Sequence, residues 1–229
     1  MDHRLPTGCA PLDRFLGGGF RFGEVSLVYG EASTGKTTIA LSCLANLLRS
    51  DRWAKAYYVD SDQKLSTDRL TQVMGGDELL LERLLVWRPG SFSEQAEVIE
   101  GLLDLQGGVP VVVDSVTGQY RLEAGDAQKT FSANKELNRQ LGFLSETAKA
   151  RDAAVLVTGQ VHGVMSVESS QVEPVAKRLL NYWSDAVIRL EMTSIQAVRQ
   201  AVVEKPGGRA GACRFMLAET GLKEAERPW

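Results

Sequence analysis

The chain alternates between two hydrophobic rhythms. Short, near-continuous apolar runs read as β-strands: EVSLVYG (24–30), KAYYVD (55–60), LLVW (84–87), VPVVVD (109–114) and AAVLVTG (153–159). The middle ones carry the Val, Leu and Tyr density of strands covered on both faces. Between them, periodic segments read as helices near 37–49, 66–74, 92–105 and 131–151. In the last of these, Phe131, Leu137, Leu141 and Leu144 recur at helical spacing, a stripe expected to pack into the core. Such alternation predicts an α/β fold with a mostly parallel, twisted central sheet and helices on both faces. Beyond residue 182 the rhythm changes. DAVIRLE (185–191), QAVVEK (200–205) and ACRFML (212–217) follow without intervening helices, and KPGGRAG (205–211) is a hairpin-type connection. The sheet is therefore expected to gain antiparallel strands at its C-terminal end. With no linker, repeat or low-complexity tract, residues 1–229 are expected to form one domain, with 1–23 a lead-in and about 185–229 its C-terminal strand region.

Composition narrows the class. The 229 residues are 44% hydrophobic and 24% charged, with a net charge of −3, an ordinary globular balance without a large basic surface. Any nucleic-acid contact must therefore come from a local patch. Cys9, Cys43 and Cys213 are scattered and odd in number, which fits reduced thiols and a cytoplasmic location. The histidines are His3 and His162, and no CxxC or His cluster suggests a metal centre. No apolar run reaches the roughly 18 residues of a membrane span, and the N-terminus has no apolar signal-peptide region.

The strongest chemical signal is GEASTGKT: Gly30, Glu31, Ala32, Ser33, Thr34, Gly35, Lys36 and Thr37. It fits G-x-x-x-x-G-K-[ST] and lies between a strand and a helix, the context a phosphate-binding P-loop requires. The glycines let successive backbone N–H groups turn inward toward phosphate oxygens, and the helix N-terminus adds positive potential. In such a loop Lys36 reaches the β- and γ-phosphates and Thr37, followed by Thr38, offers a hydroxyl to Mg²⁺. Four apolar residues ending in Asp114 supply the second Mg²⁺ carboxylate, the Walker B pattern. A further strand ends in Asp60 and Asp62, two acids at the edge where ligands bind in open α/β sheets.

Four ordered segments resemble the RecA-type recombinase ATPases, and among them the archaeal RadB proteins. They are TGCAPLDRFLGGGFRFGEVSLVYGEASTGKTT, VVVDSVTGQYRLEA, ELNRQLGFLSETAKARDAAVLVTGQVHG and EPVAKRLLNYWSDAVIRLE, and the resemblance runs from about Leu5 to Gly221. It implies a RecA-like P-loop ATPase core that binds ATP and Mg²⁺. Gln160 matches the family's γ-phosphate-sensing glutamine, Arg69 an arginine that stacks on adenine, and Asp62 the position of the catalytic glutamate. Lys205 and Pro206, in VEKPGG, resemble the segment that caps a neighbour's ATP. Two stretches correspond to DNA loops, 117–130 and 161–174. They and the segment after them bring Tyr120, Arg121, Lys129, His162, Lys177 and Arg178 as candidate DNA contacts.

The first loop is offset by Glu123 and Asp126, and the second carries Glu168 and Glu173 with no Lys or Arg. Few cations predict weak, salt-sensitive binding to single-stranded and secondarily double-stranded DNA. Asp62 is one methylene shorter than the family glutamate, which predicts slow, Mg²⁺-dependent hydrolysis. Only about four residues precede LPTGC, so the helical domain and aromatic plug that join subunits in strand-exchange recombinases are not expected, nor is self-assembly into long filaments. The resemblance thus implies a DNA repair and recombination accessory protein that assists the main recombinase of the same cell. The alternative is a RecA-fold ring ATPase of signalling or clock type that contacts no DNA.

Overall fold

In the computed structural model, which describes residues 3–163, 172–206 and 211–225, the chain opens with a small ribbon, β1 (Arg4–Leu5) and β2 (Phe20–Arg21), around α1 (Ala10–Leu16). There follow β3 (Val25–Gly30), α2 (Lys36–Ser50), β4 (Ala56–Asp60), α3 (Thr67–Met74), α4 (Glu78–Leu81), β5 (Leu84–Trp87), α5 (Phe92–Gly101), β6 (Pro110–Asp114), α6 (Gly118–Glu123), α7 (Ala127–Arg151) and β7 (Ala154–Gly159). A short antiparallel pair, β8 (Val161–Gly163) and β9 (Val172–Pro174), leads to α8 (Lys177–Trp183). The described chain ends with β10 (Ala186–Met192), β11 (Val198–Lys205), β12 (Ala212–Ala218) and β13 (Gly221–Glu224).

Nine strands form one sheet in the order β13-β12-β11-β10-β3-β7-β6-β4-β5. From β10 to β5 every neighbour is parallel, while β11, β12 and β13 join antiparallel. The parallel half follows from helical crossovers, and the antiparallel half from the Gly- and Pro-rich connections beyond residue 182. All strands expected from the apolar runs form within two residues of their expected limits. Period-two alternation sorts them into two cores. One face, with Val28, Tyr58, Val112 and Leu156, packs on α1, α2, α3 and α4, and the other, with Leu27, Val59, Val113 and Val157, packs on α5, α7 and α8. The aligned parallel strands bring the ends of β3, β4, β6 and β7 to one edge, where the candidate residues cluster.

Three expectations need correction. The segment 92–105 is not one α-helix: α5 stops at Gly101 and residues 102–104 form a 3-10 turn. The stretch 117–130 is not an open loop, because α6 occupies 118–123 and α7 begins at Ala127, capped by the Asp126 carboxylate on the Lys129 N–H. The stripe of α7 does not include Phe131, which is 72% exposed. Its buried line runs through Ala133, Leu137, Leu141, Leu144 and Ala148. Phe131 stands six residues before Leu137 and so falls on another face, whereas Ala133 stands four before it and shares the stripe.

Leu141 is fully buried among α7, β6 and β7 side chains. Leu141→Ala is expected to lower stability by about 2–5 kcal/mol, read as a lower denaturation midpoint in urea with an unchanged slope.

Candidate functional site

The buried strand β3 delivers the chain to Gly30, and the loop closes where α2 begins at Lys36. Gly35 is left-handed at φ 98°, and a Cβ there would lie 2.6 Å from the Leu217 side chain. The left-handed turn favours glycine, and the Leu217 side chain packs directly against it. Thr34 is buried and donates to the Glu31 carbonyl, whereas Glu31, Ala32 and Ser33 form the exposed apex. Lys36 donates to the carbonyls of Gly30 and Glu31 at 2.8 and 2.7 Å, which holds its ammonium over the loop. Burial pushes the Lys36 pKa below the usual lysine range, and the charges of Asp114 and Asp62 oppose that shift. An anionic ligand beside the ammonium would oppose the shift in the same way as those carboxylates.

Asp114 is the hub of the site. Its Oδ2 accepts Thr37 Oγ1 at 2.5 Å and the Tyr58 hydroxyl at 2.6 Å, and its Oδ1 accepts the Thr158 hydroxyl. Register explains the grouping: Asp114 is level with Asp60 on β4, and Val113 is level with Val157, one residue before Thr158 on β7. Burial, then the Asp114 charge, push the Tyr58 pKa well above the usual tyrosine value, so Tyr58 remains a donor. Thr37 and Asp114 bring a hydroxyl and a carboxylate together beside the Lys36 cradle. These are hard oxygen donors of the kind Mg²⁺ takes when it shares its shell with phosphate and water, so the residues fit that ion. Asp60 plays a different part. Buried, it accepts the N–H groups of Lys64 and Leu65 and pairs with Arg88, which fixes the turn after β4.

That turn sets Asp62. Its Oδ1 accepts Ser115 Oγ at 3.0 Å, its Oδ2 accepts Gln160 Nε2 at 2.6 Å, and Lys64 Nζ lies 3.6 Å from Oδ2. The carboxylate rests against Gly118, where a Cβ would fall 1.7 Å from Oδ1. Gln160 is held at the end of β7 by its own N–H on Thr117 Oγ1, and its Oε1 accepts Arg121 at 2.5 Å. Asp62, Gln160 and Arg121 thus form one chain of contacts from the nucleotide edge to α6. Arg69 lies on the other flank, where it donates to Thr38 in the first turn of α2 and to the Glu219 carbonyl.

Several expected residues fall elsewhere. Tyr120 is buried, its hydroxyl on Asn134 and its ring edge-on to Phe92, so it presents no stacking face. It lies on the inward side of α6, a helix that the loop expectation had not included. Lys129 is exposed at the start of α7. Lys177 and Arg178 are exposed in the first turn of α8, with Lys177 paired to Glu173. His162 lies in β8 opposite Glu173, but its side chain is outside the described residues, as are residues 164–171 of the second candidate loop. Lys205 is level with Val187, three positions along β10 from Leu190, the partner of Gly30. It donates to the carbonyls of Asn181 and Ser184 at the end of α8, where a cation meets favourable partial charge. Lys205 and Pro206 therefore lie toward the opposite end of the sheet from the chain's own P-loop.

The structure also adds Tyr58, Thr158, Ser115, Gly118 and Arg199, whose Nε donates to the Ser33 carbonyl at the loop apex. Strand pairing creates these contacts. Tyr58, Ser115, Gly118 and Thr158 lie inside or beside the quoted motifs, but nothing local in the sequence says which partner each would meet.

A P-loop between parallel strands, with a carboxylate hub on the second strand over, defines a RecA-type ATPase core. The chain belongs to the Rad51 family, whose pattern matches residues 3–225. Over nearly its whole length it is similar to proteins named DNA repair and recombination protein RadB. It is 32% identical to that of Methanococcoides burtonii, covering 97% of this chain and 99% of the relative. It is also 32% identical to that of Halobacterium salinarum, covering 98% and 96%, and 31% identical to that of Methanothermobacter thermautotrophicus, covering 96% of each. A solved structure described as the crystal structure of the RadB recombinase superposes with a TM-score of 0.80 at 32% identity, over 97% of this chain and all of that one.

Because a Cβ at Gly118 would fall 1.7 Å from Asp62 Oδ1, Gly118→Ala should displace that carboxylate. The expected outcome is a fall in the rate of any ATP turnover with nucleotide affinity retained, measured as kcat against the Kd of a fluorescent ATP analogue.

Proposed function

We propose that the chain is an ATP- and Mg²⁺-binding protein of DNA repair and recombination that binds DNA modestly and assists the main recombinase of its cell. The single observation that carries this reading is the Asp62–Gln160–Arg121 chain, which joins the nucleotide edge to the first DNA-candidate element. The names of its relatives support the same reading. In this reading the whole chain acts as one RecA-type domain in the cytoplasm; no helix among the described residues is long and apolar enough to cross a membrane.

Lys36 and the loop N–H groups hold the polyphosphate, Thr37 and Asp114 hold Mg²⁺, and Arg69 flanks the base. The bound ion supplies charge neutralisation at the phosphates. Gln160 senses the γ-phosphate, and Asp62 orients the attacking water. Hydrolysis is slow because Asp62 is short and both its oxygens already accept hydrogen bonds, from Ser115 and Gln160. A displacement of about 1 Å at a reacting group costs about a hundredfold. ATP then works mainly as a conformational ligand, through its differential affinity for two states. Lys205 and Pro206 are left a role only toward a neighbouring subunit's nucleotide. The main recombinase docks on β5, an outer strand of the sheet whose Leu85 and Val86 are 38% and 37% exposed.

ATP turnover is expected below ~1 s⁻¹, under the usual enzyme range, and Asp62→Glu should raise it. DNA-stimulated turnover of several per second, or an unchanged rate in Asp62→Glu, would remove the slow-switch reading. A pull-down with the main recombinase, with and without ATP, should succeed for the wild type and weaken for Leu85→Lys/Val86→Lys. A gel-shift with single-stranded DNA at low salt separates the two classes. A shift that salt abolishes supports the recombination reading, whereas no shift together with a hexamer in light scattering supports the ring ATPase.

A further inference from the structure

Two cations, Lys64 and Arg121, line a pocket of about 360 Å³ together with Asp62, Ser61, Gly118, Gln119, Leu122 and Gln160. Lys64 comes from the turn after β4 and lies 3.6 Å from the Asp62 carboxylate, its side chain 77% exposed where that of Asp62 is 14% exposed. Arg121 comes from α6 and donates through one nitrogen, Nη1, to the neutral Gln160 amide oxygen. The pocket floor is built, not loose: the Gln119 amide donates to the Ser61 carbonyl, and the turn beneath is tied by Asp60. The next cation along this edge, Arg88, is already committed to Asp60 and to the Gln63 carbonyl.

Lys64 and Arg121 are differently placed. A solvent-exposed ammonium on a carboxylate at this separation is a weak pair. A guanidinium on a neutral amide keeps its full charge for any better acceptor, and a phosphate offers two charged oxygens to its fork.

The geometry points to a seat for a backbone phosphate of single-stranded DNA, formed by Lys64 and Arg121 across the mouth of this pocket. It rests on the DNA-binding reading above and adds a contact from outside both candidate DNA loops. The same two cations serve Asp62 and Gln160, so a phosphate in the seat competes with that pair. Drawing Lys64 off Asp62 and Arg121 off Gln160 leaves the Gln160 side chain free to turn and removes a cation from the carboxylate. DNA occupancy and the state of the water-orienting pair are therefore coupled, and the coupling of their binding free energies is reciprocal.

Fluorescence anisotropy of labelled oligothymidine, titrated with ATP present over a series of salt concentrations, tests the seat. Each phosphate contact contributes about 0.7 to the slope of log K against log salt for a single strand. Lys64→Ala and Arg121→Ala are each expected to flatten the slope by about that amount, and Lys64→Arg to preserve it. Lys64→Ala should also hydrolyse ATP without DNA faster than the wild type does without DNA. Wild-type binding with an unchanged slope in Lys64→Ala overturns the seat alone, because a lysine with only a structural role alters melting and not counterion release. A flattened slope without the change in DNA-free turnover overturns the coupling. Absence of wild-type binding at low salt overturns the seat and the DNA-binding reading together.

Discussion

The Asp114 carboxylate, half-buried at the end of β6, organises this molecule through the hydroxyl donors it gathers. Its donors come from three elements: Thr37 from α2, Tyr58 from β4 and Thr158 from β7. Hydrogen bonds to a charged group are worth about 1.5–3 kcal/mol each, so the cluster ties the start of α2 to the strands beneath it. The P-loop backbone is shaped between that anchor and β3. Leu217 against Gly35 and Arg199 on the Ser33 carbonyl close the loop from the antiparallel side of the sheet. The C-terminal strands therefore support the phosphate cradle as well as extending the sheet.

Asp62 shows the same logic with the opposite outcome. Ser115, Gln160 and Lys64 surround a carboxylate placed where a nucleotide-facing acid is expected. Each donor that steadies it also competes with water for its oxygens. The contacts continue through Gln160 to Arg121, so the group closest to the chemistry shares a network with a cation on the outer surface. In such a network the occupant of one end biases the other.

Much of the fold was legible because its signals are local. Runs such as VPVVVD and AAVLVTG predicted β6 and β7 almost to the residue, and the loss of helical rhythm after 182 foretold β10 to β12. The short elements were not legible. The helices α1, α4, α6 and α8 have four to seven residues each, too few for a period to stand out, and they form by packing on the sheet. Tyr120 was misassigned for the same reason, since packing on the sheet turns it inward, whereas Phe131 falls off the α7 stripe by its spacing from Leu137.

The sequence by itself determined the phosphate loop, the α/β rhythm and the two acids that end β4. Each depends on neighbours within a few residues, through backbone conformation, side-chain periodicity or residue spacing. Tertiary structure alone decided what those residues do to one another. It placed Thr158 and Tyr58 on Asp114, divided Asp60 from Asp62 into a turn-holding and a site-facing carboxylate, and carried Lys205 away from its own P-loop. Those outcomes depend on which strands lie side by side and in what register, and register is set by burying whole faces of the sheet at once.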